Sequence, residues 1–191
     1  MHTDICFTNL SLNIHRPSVT IFQRTQVETS ENLIAWKVIQ HCPYRWHHPF
    51  CIEWEYSYQL ADHDGNYSAV TPLPPRHRSE TENQGLRISY AADQVVFTKT
   101  AASKYAEVVL LKNGRMIARQ PFFPPAQTTF RLSETYYLCA DLRVEEGAVI
   151  HSHNINASLT PFRVTGQERL NIIMTGGQPG IESTPICFQF S

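Results

Sequence analysis

The sequence predicts an all-β chain, a single-domain antiparallel β-sandwich or a flattened barrel of the same strands. Three observations lead there. Nearly every apolar run is short and alternates with polar residues, the period of two of a half-buried strand. Turn dipeptides, Asp64-Gly65 and Asn113-Gly114 foremost, fall between those runs. No apolar stripe of helical period extends over ten or more residues. The chain's 191 residues suffice for one domain with a substantial core. With 42% hydrophobic and 17% charged residues, the composition is globular rather than disordered.

The elements follow in order. Cys6, Leu10, Leu12 and Ile14 share one parity and read as the buried side of the first strand, with Pro17 separating them from a second run at 19–22. Residues 33–39, almost wholly apolar with β-branched and aromatic members, read as a strand buried on both faces. Residues 41–51, His-Cys-Pro-Tyr-Arg-Trp-His-His-Pro-Phe-Cys, hold three histidines, two prolines and three aromatics and read as a stiff connection between strands. Beyond it, Ile52, Trp54, Tyr56, Tyr58 and Leu60 line one strand face, and Glu53, Glu55, Ser57 and Gln59 the other. That strand turns at residues 62–66. Residues 71–85, with Pro72, Pro74, Pro75 and Gly85, form an irregular surface excursion within the domain. Strands resume at 86–90, 94–99, 105–112, 115–120, 128–132, 136–142, 148–151, 170–174 and 184–190.

Charge narrows the partners. Sixteen basic and 17 acidic residues give a net −1, with no field to draw a phosphate backbone and no basic run for a membrane surface. Nucleic acid and membrane are therefore not expected as partners. Neither a signal-peptide pattern nor an apolar run of the ~20 residues that span a bilayer occurs. The expected location is cytoplasmic, or outside the cell by release without a classical signal peptide. Five cysteines, an odd number without a Cys-x-x-Cys, predict reduced buried thiols; Cys42 and Cys51 are the pair an oxidising compartment could join across the 41–51 connection.

One order of motifs stands out. Val19-Thr-Ile-Phe-Gln23 is followed by Leu33-Ile-Ala-Trp36, His48-Pro49 and an alternating aromatic strand ending at Tyr58. A strand at 136–142 and Gly147-Ala-Val-Ile150 complete it. Over most of the chain this order resembles the bacterial rhizosphere-induced protein family and its uncharacterised relatives. The resemblance implies a β-sandwich-like fold and carries over no reaction or catalytic residue.

Two chemistries are candidates. In the first, Tyr44, Trp46 and Phe50 offer flat apolar faces in an end loop, with Arg45 as a polar clamp, for a small molecule or glycan. The competing explanation is that aromatics fill the core, as expected for Trp36 and Trp54. In the second, His47 and His48 join His151 and His153 in a copper or zinc site of a metal-dependent enzyme. Residues i and i+2 of an extended chain project the same way, so the latter two could chelate together. With Met174 these ligand types are similar to those of copper monooxygenases built on β-sandwiches, but the spacing differs. Histidines at strand ends are more often hydrogen-bonded surface groups. Asp62-x-Asp64-Gly65-Asn66 has a fragment of a calcium loop without its closing glutamate, and reads as a turn. Unpaired sheet edges leave a third class open, a self-associating homo-oligomer. No nucleophile elbow or phosphate loop is present.

Overall fold

A computed structural model of the chain describes residues 2–15, 17–23, 32–75, 80–83, 85–101, 103–123, 126–151, 159–164, 166–181 and 183–191. Among the described residues there are seventeen strands and no helix. The first strands are β1 (His2–Asn9), β2 (Val19–Gln23), β3 (Asn32–Ile39) and β4 (His47–Glu53). Next come β5 (Tyr56–Asp62), β6 (Thr71–Pro72), β7 (Glu80–Asn83), β8 (Leu86–Ala91) and β9 (Gln94–Lys99). Then follow β10 (Tyr105–Lys112), β11 (Arg115–Pro121), β12 (Gln127–Arg131) and β13 (Thr135–Ala140). The chain closes with β14 (Val149–His151), β15 (Thr160–Arg163), β16 (Arg169–Thr175) and β17 (Cys187–Phe190).

Four sheets result. The outer parts of the chain build β17-β16-β1-β4 and β14-β3-β2-β13-β15; the middle builds β11-β10-β5-β6 and β12-β9-β8-β7. One apolar core draws on all four: Ile5 and Phe7, Ile21 and Trp36, Leu60 and Leu110, Ile88 and Phe97. A smaller cluster of Phe22, Leu33, Ala35, Cys139 and Ile150 gathers residues of β2, β3, β13 and β14. β3 therefore contributes to both clusters, as its apolar run predicts. Pairing between the named strands is antiparallel except for β1 with β16, which run parallel, Asp4 beside Arg169 through Asn9 beside Met174. The Asn113-Gly114 hairpin holds φ of 54° and 68°, the left-handed pair such a tight turn requires.

Three expectations are corrected. The buried side of β1 is Thr3, Ile5, Phe7 and Asn9, the opposite parity from Cys6; Leu10, Leu12 and Ile14 lie beyond the strand and are exposed. Burying Thr3 and Asn9 is tolerable because their polar atoms are matched. Thr3 Oγ1 donates to Gln167 O at 2.7 Å, Asn9 Nδ2 donates to Cys42 O at 2.6 Å, and Asn9 Oδ1 accepts from Ser11 N at 2.8 Å. Second, the 41–51 stretch is a connection only as far as Trp46; His47 onward is β4, paired antiparallel with β1. Third, the alternating strand at 52–60 breaks at Trp54-Glu55, so β4 and β5 belong to different sheets. A two-residue break preserves the alternation, so the pattern carries no trace of it. At the break Asn113 covers the free edge of β4: its Oδ1 accepts from Glu53 N at 2.8 Å and its Nδ2 donates to Cys51 O at 3.3 Å. The 71–85 excursion also contains β6 and β7. All five cysteines are free; Cys42 is buried and Cys51 exposed on β4, so they do not pair.

A bulge in β3 sets the surroundings of β4. Ile21 pairs with Lys37 and Phe22 with Ala35, leaving Trp36 as the extra residue. The insertion interrupts strict alternation, and consecutive residues both reach Phe50 on β4. The Trp36 and Phe50 ring centroids are 6.4 Å apart, and Lys37 Nζ lies 5.2 Å from the Phe50 centroid.

Candidate functional site

An open cavity of about 750 Å³ lies where three connections meet: β1–β2, β3–β4 and β13–β14. Its polar lining includes Asn13, His15, Gln40, His41, Asp141 and Glu145, and Val38, Leu142 and Val144 supply apolar surface. The walls are tied together by backbone and side-chain bonds. Asp141 N donates to Ser18 O at 2.9 Å, Ser18 Oγ to Leu142 O at 3.0 Å, and Cys42 N to Pro17 O at 3.2 Å. Asn13 bridges further, with Oδ1 accepting from His15 N at 2.9 Å and Nδ2 donating to Asp141 Oδ2 at 3.5 Å. His41 and Asp141 both hold left-handed backbone, φ 52° and 60°. Aspartate and histidine enter this region more readily than most residues, and here it turns the chain sharply at the cavity wall. The volume is typical of small-molecule sites, and the lining mixes hydrogen-bond donors and acceptors with apolar surface.

Of the residues singled out from sequence, Tyr44, Arg45, Trp46 and Phe50 do not line this cavity. Trp46 and Phe50 instead bracket His48 along one side of β4. Trp46 and His48 centroids are 5.3 Å apart at 47°, and His48 and Phe50 are 6.1 Å apart at 41°. All three are half-buried, and Trp46 and Phe50 pack against the core. Tyr44 is exposed, with the Arg45 guanidinium 5.2 Å from its ring centroid. Arg115 from β11 completes the surroundings, donating to Glu146 Oε1 at 3.0 Å and to Trp36 O at 3.4 Å. Burial, with the charges of Lys37 and Arg115, holds the His48 imidazole below its ordinary pKa.

The described members of the histidine set do not gather. His47 and His48 are consecutive in a strand and face opposite sides. His47 is exposed and shares a hydrogen bond of 2.9 Å between Nδ1 and Thr8 Oγ1. His151 pairs with Asn32. That is five residues along β3 from Lys37, or about 16 Å at the rise of a strand. His153 lies outside the described residues. Among the described residues no three His, Cys, Asp or Glu side chains converge as a metal site. The Asp62 carboxylate serves its own turn: Oδ1 accepts from Asp64 N at 3.0 Å and Asn66 N at 2.9 Å.

One buried cation has no signature in the sequence. Lys112, at the end of β10, is 2% exposed. Its Nζ donates to Tyr56 Oη at 3.3 Å and lies 4.5 Å and 5.3 Å from the Tyr56 and Tyr136 ring centroids. Gln23 Nε2 donates to Tyr56 Oη at 2.9 Å and to Ser133 O, and Trp36 Nε1 donates to Lys112 O at 3.0 Å. Burial pushes the Lys112 ammonium down to about 8, opposed by the Glu134 charge. The group links sheets across the core rather than opening to solvent. The sequence shows Lys112 only as the polar end of a hairpin strand. The cavity residues are equally silent there, because they come from three separate connections that only the fold brings together.

No family model, curated protein or solved structure matches this chain.

Proposed function

We propose that this protein is a binding module that takes a small polyhydroxylated molecule, a sugar or short glycan, in the end cavity beside His41. The observation that carries the reading is the cavity itself: about 750 Å³, with walls cross-linked by hydrogen bonds and two lining residues held in left-handed backbone. Vicinal hydroxyls need acceptors and donors side by side, and Asp141, Glu145, Asn13, Gln40 and the two imidazoles supply both. The apolar surface of Val38 and Leu142 suits the C–H face of a ring. Prebuilt walls reduce the ordering cost of binding.

Calorimetric titration against a panel of mono- and oligosaccharides tests this. Asp141→Asn and His41→Asn are the informative variants, because asparagine tolerates left-handed backbone and removes only the charge or the ring. The expected result is saturable binding of at least one sugar that either substitution weakens about tenfold, the loss of one good hydrogen bond to a charged group. No binding across the panel, or binding indifferent to both substitutions, refutes the assignment.

A further inference from the structure

We propose that the rim between β4 and β3 is a second binding site, separate from the end cavity, for a small flat aromatic anion stacked on Trp46 against the edge of His48, with its charged group at Lys37. The shape argument comes from three neighbouring rings, Trp46 just before β4 and His48 and Phe50 within it. Trp46, His48 and Phe50 form one half-buried strip whose centroids follow at 5.3 Å and 6.1 Å, and Phe50 is backed by Trp36. Successive rings tilt by 47° and 41°, so a planar partner lies on one face and meets the next ring at its edge, as aromatic pairs commonly do.

The charge argument is independent. Two cations and one carboxylate meet at this rim: Lys37 from β3, Arg115 from β11 and Glu146 from the β13–β14 connection. Glu146 is committed to Arg115, and it also accepts from Val38 N at 3.0 Å. Lys37 makes no ion pair among the described residues, and its ammonium instead sits over Phe50. A positive charge thus remains unneutralised beside the strip. Lys37 itself is held below its ordinary pKa by burial and by Arg115, with Glu146 and Cys51 opposing. His48 is held down by burial, Lys37 and Arg115, with Glu146 opposing. An aromatic carboxylate supplies both missing parts, a ring for the strip and a counter-charge for Lys37. A neutral sugar supplies neither, which separates this site from the cavity.

Reciprocity gives the assay. Burial is the largest cause holding His48 down, with Lys37 and Arg115 adding to it; an anion beside them opposes the charge part, and any rise it produces is returned as tighter anion binding when His48 is protonated. The probe is 2-naphthoate, with 2-naphthamide as its neutral match, followed by NMR of the histidine side chains across pH. The expected result is saturable naphthoate binding that raises the His48 pKa by about half a unit or more. Naphthamide, which covers the imidazole without a counter-charge, should bind about tenfold more weakly and leave that pKa unraised or lower. Lys37→Met should abolish the preference for the anion, and Trp46→Ala should weaken both probes. Lys37→Gln serves if the methionine variant does not fold. Equal response to naphthoate and naphthamide, shifts confined to the cavity's His15 and His41, unchanged discrimination in the Lys37 variants, or no binding of either probe would each overturn the proposal. The sugar panel reads the other site, so one reading can fail while the other stands.

Discussion

Replacing Lys112 by methionine tests the energetic logic of the core. Methionine keeps an unbranched chain of similar length and removes the charge. In the folded protein the ammonium pKa falls from 10.5 to about 8. A difference of about 2.5 units corresponds to about 3 kcal/mol against the charged form. The Tyr56 and Tyr136 rings favour the cation by about 1 kcal/mol together, so the net effect is about 2–3 kcal/mol. The direction follows from proton binding. Below pH 8 both folded and unfolded chains carry the proton, and the full cost of burying it is present. Between about pH 8 and 10.5 the unfolded chain holds a proton that the folded one has released, so this group's contribution rises with pH. Above that window both forms are neutral and the cost is gone. Other groups pull the opposite way: burial raises Cys42 to about 11 and also raises Cys139, Tyr58 and Tyr136, so each loses its proton more readily in the unfolded chain. Their contributions fall with rising pH and are common to both proteins, so the difference between wild type and Lys112→Met isolates the lysine. Urea unfolding at half-unit steps from pH 7 to 11 measures it. Relative to the variant, the wild type should gain about 2–3 kcal/mol across the window. At pH 7 the variant should equal or exceed the wild type in stability, since the lost Tyr56 hydrogen bond costs only about 1 kcal/mol. Parallel profiles would show that the charge is not desolvated and would refute the account.

Two further outcomes are expected. Gly176→Ala should destabilise strongly, by about 3 kcal/mol or more, because an added Cβ would lie 2.1 Å from Pro185 O at a φ of +82°. Gly114→Ala, with a left-handed φ but open space around it, should cost only about 1 kcal/mol, and thermal unfolding of the two variants ranks them. In the native protein an alkylating reagent should modify exposed Cys51 and Cys187 readily and spare buried Cys42 and Cys139; mass spectrometry of the labelled chain reads this, and prompt labelling of Cys42 would contradict its burial.

The strands at 94–99 and 105–112 and the Asn113-Gly114 turn coincide with what their residues predict, because alternation and turn chemistry are local properties. The class of fold was legible for the same reason. The side on which β1 buries itself was not. Its apolar residues by themselves favour Leu10 and Leu12, yet Thr3 and Asn9 go inside because Gln167 and Cys42, distant in sequence, satisfy their polar atoms. The break at Trp54-Glu55 leaves parity intact, and so leaves no sign in the pattern.

For the sites the division is sharper. Local pattern singled out Trp46 and Phe50 as aromatics and His48 as an imidazole, but as parts of a connection; that they share one side follows only from β4 starting at His47. It could not bring Lys37 and Arg115 to them: that took a one-residue bulge in β3 and the packing of β11 across it. Nor could it assemble the end cavity, whose walls come from three separate stretches, residues 13–18, 38–41 and 141–145. Period and turn residues are written into neighbouring positions, and the sequence therefore determined the strands. Registers, bulges and the meeting of loops depend on which distant backbone each strand finds, and only the tertiary structure decided those.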